Sequence, residues 1–337
     1  MKSLFAIAII RLAFVIGVLF PVVSCAANSL ERFAPNFSTN TAILWQTPTT
    51  NLPTNLWIYK RLPPQPFLAS VISNAIAIAS LQDRGIPKPS TNDFFIWTPP
   101  DCCGMGRSIF GIMPAKAVIS YDATNQSLST NDLPDEATVK KCAFHYASLL
   151  GLGNARLIPQ NIFCSSNAYG IKSTNGACGK GIFLSRELDG VTFYSNGGVD
   201  EADGFSIEFG SHGQVRAFSL VWPNLERGQN CRVASPQEII NCLRARRIIV
   251  IPNPDEETYF ERLKILSKAK TFIITSVIPR YGDMGTFGEV PTNDVPPKFL
   301  VPFAEIEAVA SFGNSNAIVK LLSPVLSSEV ARLIGGK

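Results

Sequence analysis

The residues of this chain best suited to chemistry are a cysteine and a histidine three positions apart. Cys142 and His145 fall within one turn of a segment with helical periodicity, so thiol and imidazole can meet, and a cysteine nucleophile needs such a base. Cys142, however, lies on the apolar stripe of that segment, where a thiol usually packs in a core or forms half of a disulfide. We therefore predict no catalytic residue; a secreted hydrolase or thiol-dependent enzyme using this pair is the alternative.

The sequence around the second histidine and around one acidic cluster is more typical of turns than of functional sites. Ser211 and His212 lie between two glycines at the tip of a predicted hairpin, where no third residue is placed to orient the imidazole. Three carboxylates suited to calcium lack the regular spacing of a calcium-binding loop; these are Asp200, Glu201 and Asp203. The sequence thus predicts no metal site and no cofactor.

One basic cluster stands out in a chain of low net charge. Arg244, Arg246 and Arg247 end a predicted helix, where cations complement its negative pole, and they also suit an anionic partner. The net charge is +4, of which Lys2 and Arg11 in the N-terminal segment contribute two. A net charge this small gives no reason to expect nucleic acid or an anionic membrane as a partner.

The chain has eight cysteines, and in an exported protein such a number favours disulfides. The most local pairs are Cys164 with Cys178 and Cys231 with Cys242, and each bridge is expected to add about 3 kcal/mol. One thiol of the neighbouring pair Cys102 and Cys103 is expected to face Cys142. The absence of any CxxC pair disfavours zinc.

The first 27 residues predict export. Lys2 and Arg11 precede an apolar run that Pro21 closes, and small residues suited to cleavage follow, so residues 1–27 are interpreted as a signal peptide. A transmembrane anchor is disfavoured because the uninterrupted run is shorter than a bilayer needs. Cys25 sits in a lipobox-like sequence and is a lipidation candidate. The protein is expected to be periplasmic, envelope-attached or secreted.

Proline- and glycine-rich breaks divide the rest of the chain. The expected parts are a Pro/Thr/Asn-rich linker at 28–55, three units at 56–130, 131–232 and 233–326, and a C-terminal tail at 327–337.

Each unit combines a helix signal with strand patterns. A helix is predicted from Pro66 to Gln82, a second after the cap Asp132, and a third at a capping box of Ser235 and Glu238. A short strand is predicted from Leu56 to Lys60, ended by Pro63 and Pro64, and alternating residues at 204–209 and 214–222 predict a hairpin. These patterns favour an α+β fold of repeated modules, each with one helix packed on an antiparallel β-sheet.

Five short motifs are spread over residues 56–326: Leu56-Trp57-Ile58-Tyr59-Lys60, Leu133-Pro134-Asp135-Glu136-Ala137, Leu188-Asp189-Gly190-Val191 ahead of the hairpin Gly204 to Trp222, Lys298-Phe299-Leu300-Val301-Pro302 and Leu322-Ser323-Pro324-Val325-Leu326. With these motifs the chain resembles the tandem PepSY-like, cystatin-like modules of exported bacterial regulatory and inhibitory proteins. The resemblance implies inhibition, regulation or binding rather than catalysis.

Together these features predict an exported, non-enzymatic protein that binds or regulates an envelope or extracellular protein through sheet faces and loops. Contact with a membrane is expected only through a lipid on Cys25. A purely structural envelope component is the remaining alternative.

Overall fold

The structure, a computed structural model, describes residues 37–48, 52–81, 92–97, 108–123, 132–165, 167–168, 171–172, 179–194, 203–245, 249–251, 266–283 and 299–327. The predicted signal peptide, Cys25 and the C-terminal residues from 328 onward lie outside these ranges. Within them, no helix is both long and apolar enough to cross a bilayer.

Strands dominate the described part of the chain. They are β1 (Ala42–Trp45), β2 (Asn55–Arg61), β3 (Phe94–Trp97), β4 (Ser108–Met113), β5 (Val118–Ala123), β6 (Leu157–Ser165), β7 (Asn167–Ala168), β8 (Ile171–Lys172), β9 (Gly179–Leu188), β10 (Val191–Phe193), β11 (Gly204–Phe209), β12 (Val215–Val221), β13 (Leu225–Arg232), β14 (Ile249–Ile251), β15 (Thr271–Asp283), β16 (Phe299–Phe312) and β17 (Ser315–Pro324). Three helices lie wholly within the described ranges: α1 (Ala69–Ile78), α2 (Glu136–Ala147) and α3 (Pro236–Arg244).

Fifteen strands form one mixed sheet. Its main path runs β13-β2-β16-β15-β10-β9-β11-β12-β5-β4-β3, while β1 joins β15, β17 joins β16, β14 joins β17 and β6 joins β9. Most neighbours are antiparallel, but β1 and β10 pair with β15 in parallel. Strands β7 and β8 form a separate pair.

The predicted α+β fold of repeated modules, one helix on its own antiparallel sheet, is therefore wrong. Strand β1 lies within the predicted linker and pairs with β15, and strand β2 pairs with β13 and with β16 from much later in the chain. Helices α1 and α2, which were expected in different modules, contribute to one hydrophobic core. Strand partners are chosen by long-range packing, which the local capping and turn signals do not encode.

Two hydrophobic cores lie along the sheet. The first joins α1 and α2 to the strands β4, β5, β9, β11 and β12, with Phe110, Phe205 and Phe218 almost fully buried. The second joins α3 to β2, β15, β16 and β17 around Phe272 and Tyr281. Each helix covers its strands because its apolar residues repeat at helical spacing.

Local helix signals operate largely as predicted. Ser235 and Glu238 form the expected capping box of α3, and the side chain of Arg232, together with the Ser235 backbone N–H, lowers the pKa of Glu238 to about 2. Helix α2 begins later than predicted, because Asp135 and not Asp132 is its cap; the Asp135 carboxylate accepts a hydrogen bond from the Thr138 N–H at 2.7 Å. The predicted hairpin is confirmed as β11 and β12.

A buried serine joins the two parts of the sheet. The chain leaves β9 through a tight turn and enters β10, which pairs with β15 of the second core. The Ser185 hydroxyl accepts from the Phe193 N–H at 2.9 Å and lies 3.2 Å from the Phe193 carbonyl oxygen, to which it can donate. The Ser185 side chain thus provides hydrogen-bond partners for both backbone groups of Phe193 at the corner between the two cores.

Replacing Ser185 with alanine is expected to lower the free energy of unfolding by about 1–3 kcal/mol, because the buried Phe193 N–H loses its partner. Urea unfolding followed by circular dichroism measures this. Ser219→Ala is the matched control, since the Ser219 hydroxyl is buried without a hydrogen bond and its removal is expected to be neutral or stabilising. Equal losses in the two variants would contradict the role of Ser185.

Candidate functional site

A cavity of about 690 Å³ opens where β2 leads into α1. Its apolar wall comes from α1 and the residue Phe67 before it, from the helical turn Ser148–Leu152 that follows α2, and from the end of β12. The side chains of this wall are Phe67, Val71, Leu150, Leu152, Leu220 and Trp222. The volume falls within the range of about 300–1,000 Å³ typical of small-molecule sites, and a largely apolar wall is typical of them too.

The charged residues at this cavity are all cationic. Lys60, Arg61 and Lys116 line it, and no aspartate or glutamate does so within the described ranges. Lys60 and Arg61 end β2, and Lys116 ends the short 3-10 turn Pro114–Lys116. A cavity with an apolar wall and a cationic border suits a ligand that has an apolar body and an anionic end.

A proline-rich strap forms one side of the opening. It runs from Leu62 to Leu68 and contains Pro63, Pro64 and Pro66. Its start is fixed by the Leu62 N–H, which donates to the Asn224 carbonyl at 2.9 Å, and its end is the N-cap residue of α1. Because proline fixes φ, the strap keeps its shape without the hydrogen bonds of a regular element.

The opposite side of the cavity depends on one glycine. Gly151 has φ of 88°, a left-handed conformation that glycine adopts without strain. This residue redirects the chain after α2, so that Leu150 and Leu152 both reach the cavity wall. The Asn74 amide of α1 donates to the Leu149 carbonyl at 2.6 Å and joins the two helical segments.

Two partly buried arginines lie at this cavity, Arg186 against Trp222 and Arg61 in the lining. The Arg186 guanidinium carbon lies 4.4 Å from the Trp222 ring centroid, and the same guanidinium donates to the Pro223 carbonyl at 2.8 Å. Arg61 approaches Asp203 at 3.5 Å. Burial lowers the pKa of Arg186 while Asp203 acts in the opposite direction, and an arginine remains protonated at neutral pH. The wall behind Trp222 is therefore positively charged.

A second polar group continues from this wall along β2. Tyr59 donates to the Asp189 carboxylate, which also pairs with Arg227 of β13. Burial, followed by the hydrogen bond with Asp189, raises the pKa of Tyr59. Arg227 lies over the Trp57 ring at 5.5 Å. These contacts hold β2 and β13 against the turn between β9 and β10, and so position the end of β2 at the cavity.

A third polar cluster is internal to the sheet. Glu208 accepts hydrogen bonds from Arg216 at 2.8 Å and from Ser165 at 2.6 Å. The Glu208 and Arg216 side chains are only 10% and 9% exposed. This cluster satisfies its own charges and stabilises β6, β11 and β12 relative to one another.

Cys142 and His145, the predicted thiol and imidazole pair, lie in different environments. Cys142 packs partly buried against the first core, whereas His145 is exposed and its ring lies 5.6 Å from that of Tyr146. Burial, and to a smaller extent Cys142, raises the pKa of Tyr146. The arrangement places the thiol on the core side of α2 and the imidazole in solvent.

The remaining cysteines are only partly within the described ranges. Cys164 is exposed on β6 and Cys231 is buried at the end of β13, while Cys102, Cys103 and Cys178 lie outside the ranges. No disulfide joins any two of the four described cysteines. Burial raises the pKa of Cys231, which lowers its thiolate fraction and slows its oxidation. The pairing of Cys231 with Cys242 stays a prediction.

The other candidate residues take structural positions where they are described. His212 lies at the hairpin tip, as predicted, 3.8 Å from the Asp132 carboxylate in solvent. Asp203 faces Arg61, and Asp200 and Glu201 lie outside the described ranges.

The predicted basic patch is described at one residue. Arg244 ends α3 and donates to the Thr41 carbonyl at 3.2 Å, which ties the helix to the start of β1. Arg246 and Arg247 lie outside the described ranges. An anionic partner at this patch stays a prediction.

The cavity was missed because its residues are scattered along the chain. Lys60, Lys116 and Trp222 belong to three separate segments, and Pro63 with Pro64 indicated only the end of a strand. A combined signal did exist, since an aromatic residue and three prolines follow the basic pair Lys60-Arg61 within seven residues. No protein-family model matches the chain, and no curated protein matches it.

Proposed function

We propose that this is a binding protein, and that the cavity beside Trp222 holds an amphipathic molecule with an anionic end, such as a medium- or long-chain carboxylate. The proposal keeps the binding role predicted from the sequence and places it in a pocket instead of on an open sheet face. The observation that carries it is the combination of an apolar wall with three cations and no carboxylate among the described lining residues.

The charge of the site supports an anion over a neutral ligand. Asp203 offsets Arg61, but Arg186 lies behind Trp222, and Lys116 adds a further positive charge at the opening. An ammonium group placed there would meet only like charges among the described lining residues, and a hydroxyl would gain less than a carboxylate.

The apolar wall sets the other half of the specificity. Phe67, Val71 and Trp222 are only partly buried, and covering their apolar surface with a ligand is favourable by about 25 cal/mol for each Å². A short anion such as acetate covers little of this wall and is expected to bind weakly.

Titration with decanoate, decan-1-ol and decylammonium tests this proposal. Decanoate is expected to bind at least tenfold more tightly than either analogue, because all three present the same chain and differ only in the polar end. Isothermal titration calorimetry gives the three affinities.

Lys116→Gln is expected to weaken decanoate binding roughly fivefold, whereas decan-1-ol binding changes little. Lys140→Gln is the matched control, because Lys140 is an exposed lysine of α2 and not part of the cavity wall. Ala115→Trp adds bulk at the opening and is expected to abolish binding of all three ligands. Equal affinities for the three ligands, or no binding, would refute the proposal.

A further inference from the structure

The opening of the cavity carries two protruding leucines. Leu62 and Leu68 both line the cavity, yet they are 38% and 71% exposed. They stand at the two ends of the proline-rich strap, between Lys60 on one side and the first turn of α1 on the other. Large aliphatic side chains exposed beside a cavity mouth are suited to contact an apolar surface.

We propose that this mouth docks on an anionic phospholipid bilayer, from which the cavity takes its ligand. This inference rests on the proposed function, because it names the source of the same amphipathic molecule. Leu62 and Leu68 enter the boundary between headgroups and acyl chains, while Lys60 and Lys116 contact the anionic headgroups.

The chemistry of the strap favours a bilayer over a protein strand. Pro63, Pro64 and Pro66 have no backbone N–H, so this segment cannot supply a ladder of donors to an added β-strand. Leucines flanked by lysines, without a carboxylate among the described lining residues, match a surface that is apolar inside and negative outside.

The orientation also suits transfer of an amphipathic molecule. An amphipathic carboxylate in a bilayer keeps its charged end at the headgroups and its chain in the apolar interior. The mouth presents cations and leucines side by side, so both ends of the ligand keep a matching environment as it passes into the cavity.

Sedimentation with phospholipid vesicles tests the docking. The full chain is expected to pellet with vesicles that contain phosphatidylglycerol, and at least tenfold less with phosphatidylcholine alone. Leu68→Ser and Lys116→Gln are each expected to weaken vesicle binding roughly fivefold.

Two exposed residues outside the mouth supply the controls. Ile318→Ser removes a 60% exposed aliphatic side chain from β17, and Lys140→Gln removes a charge from α2; both are expected to bind vesicles like the wild type. Leu68→Ser is expected to fold normally, because Leu68 is an N-cap without a side-chain hydrogen bond and serine is preferred there.

Decanoate titration of the same variants separates the two proposals. Normal decanoate binding without vesicle binding overturns the docking and leaves the pocket intact. Vesicle binding without decanoate binding overturns the pocket, and with it the transfer. Equal losses in the mouth variants and their controls, or capture of a protein by the mouth while vesicles are ignored, overturn the docking.

Discussion

Replacing Arg216 with methionine is expected to lower the free energy of unfolding by about 3–5 kcal/mol. The reason is the Glu208 carboxylate, which would keep its buried position but lose the guanidinium that lies 2.8 Å away. The Ser165 hydroxyl remains as a donor, yet a hydroxyl does not neutralise a charge. Urea unfolding at pH 7 measures the loss.

Burial, not ion-pair formation as such, is the cause of this effect. Lys320→Met removes a partner of Glu307 from a pair with side chains 52% and 45% exposed, and it is expected to change stability by less than about 1 kcal/mol. The double variant Arg216→Met with Glu208→Leu is expected to be more stable than Arg216→Met alone, because no unpaired charge remains. A loss in Lys320→Met as large as that in Arg216→Met would contradict this explanation.

Raising the pH from 10 to 12 is expected to lower the free energy of unfolding by roughly 2–4 kcal/mol through two tyrosines. Burial raises the pKa of Tyr194 to about 12 and raises that of Tyr281 strongly, while tyrosine in the unfolded chain ionises near its ordinary pKa of about 10. Above pH 10 the unfolded state therefore releases protons that the folded state retains, and stability falls as pH rises.

Urea unfolding between pH 7 and pH 12 measures this slope. Tyr194→Phe and Tyr281→Phe are each expected to flatten it, because phenylalanine cannot ionise. Tyr281→Phe also loses the bond from the Tyr281 hydroxyl to the Trp57 carbonyl, so its stability at pH 7 serves as the reference for its own curve. A slope that survives both substitutions would show that other groups cause the alkaline unfolding.

The sequence predicted those features that neighbouring residues determine. The capping box of Ser235 and Glu238 needs two side chains three positions apart, and both bonds are formed. The hairpin of β11 and β12 follows from alternation on either side of a glycine-bounded turn. The cap of α2 was predicted at Asp132 but is Asp135, three residues later.

The fold class could not be predicted from neighbouring residues alone. Leu56 to Lys60 was correctly predicted as a strand, but nothing in that segment shows that Tyr59 will pair with Arg227 on one side and Leu300 on the other. A strand that is buried among distant partners has the same alternation as one in a small module. The predicted repeat therefore failed at the level of pairing, and the prediction also missed β1, which lies within the predicted linker.

The candidate site shows the same division. The net charge of the chain gave no reason to expect an anion site, because it sums all charges and does not show where they lie. The fold brings Lys60, Arg61 and Lys116 to one cavity. The predicted Arg244 cluster was visible for the opposite reason, since its members are adjacent in the chain. Arg61 and Arg186 come together only through the corner between β9 and β10.

The long-range pairing of β2 sets the order in which this protein can fold. Tyr281 bonds to the Trp57 carbonyl across 224 residues, and β2 has both its neighbours only after β16 has been synthesised. Contacts of such separation close slowly, because the entropy of the intervening chain must be overcome first. The nascent chain therefore carries β2 without a partner until β13 has been made, and with one open edge until β16 follows, and a holding chaperone is expected to shield it in that interval.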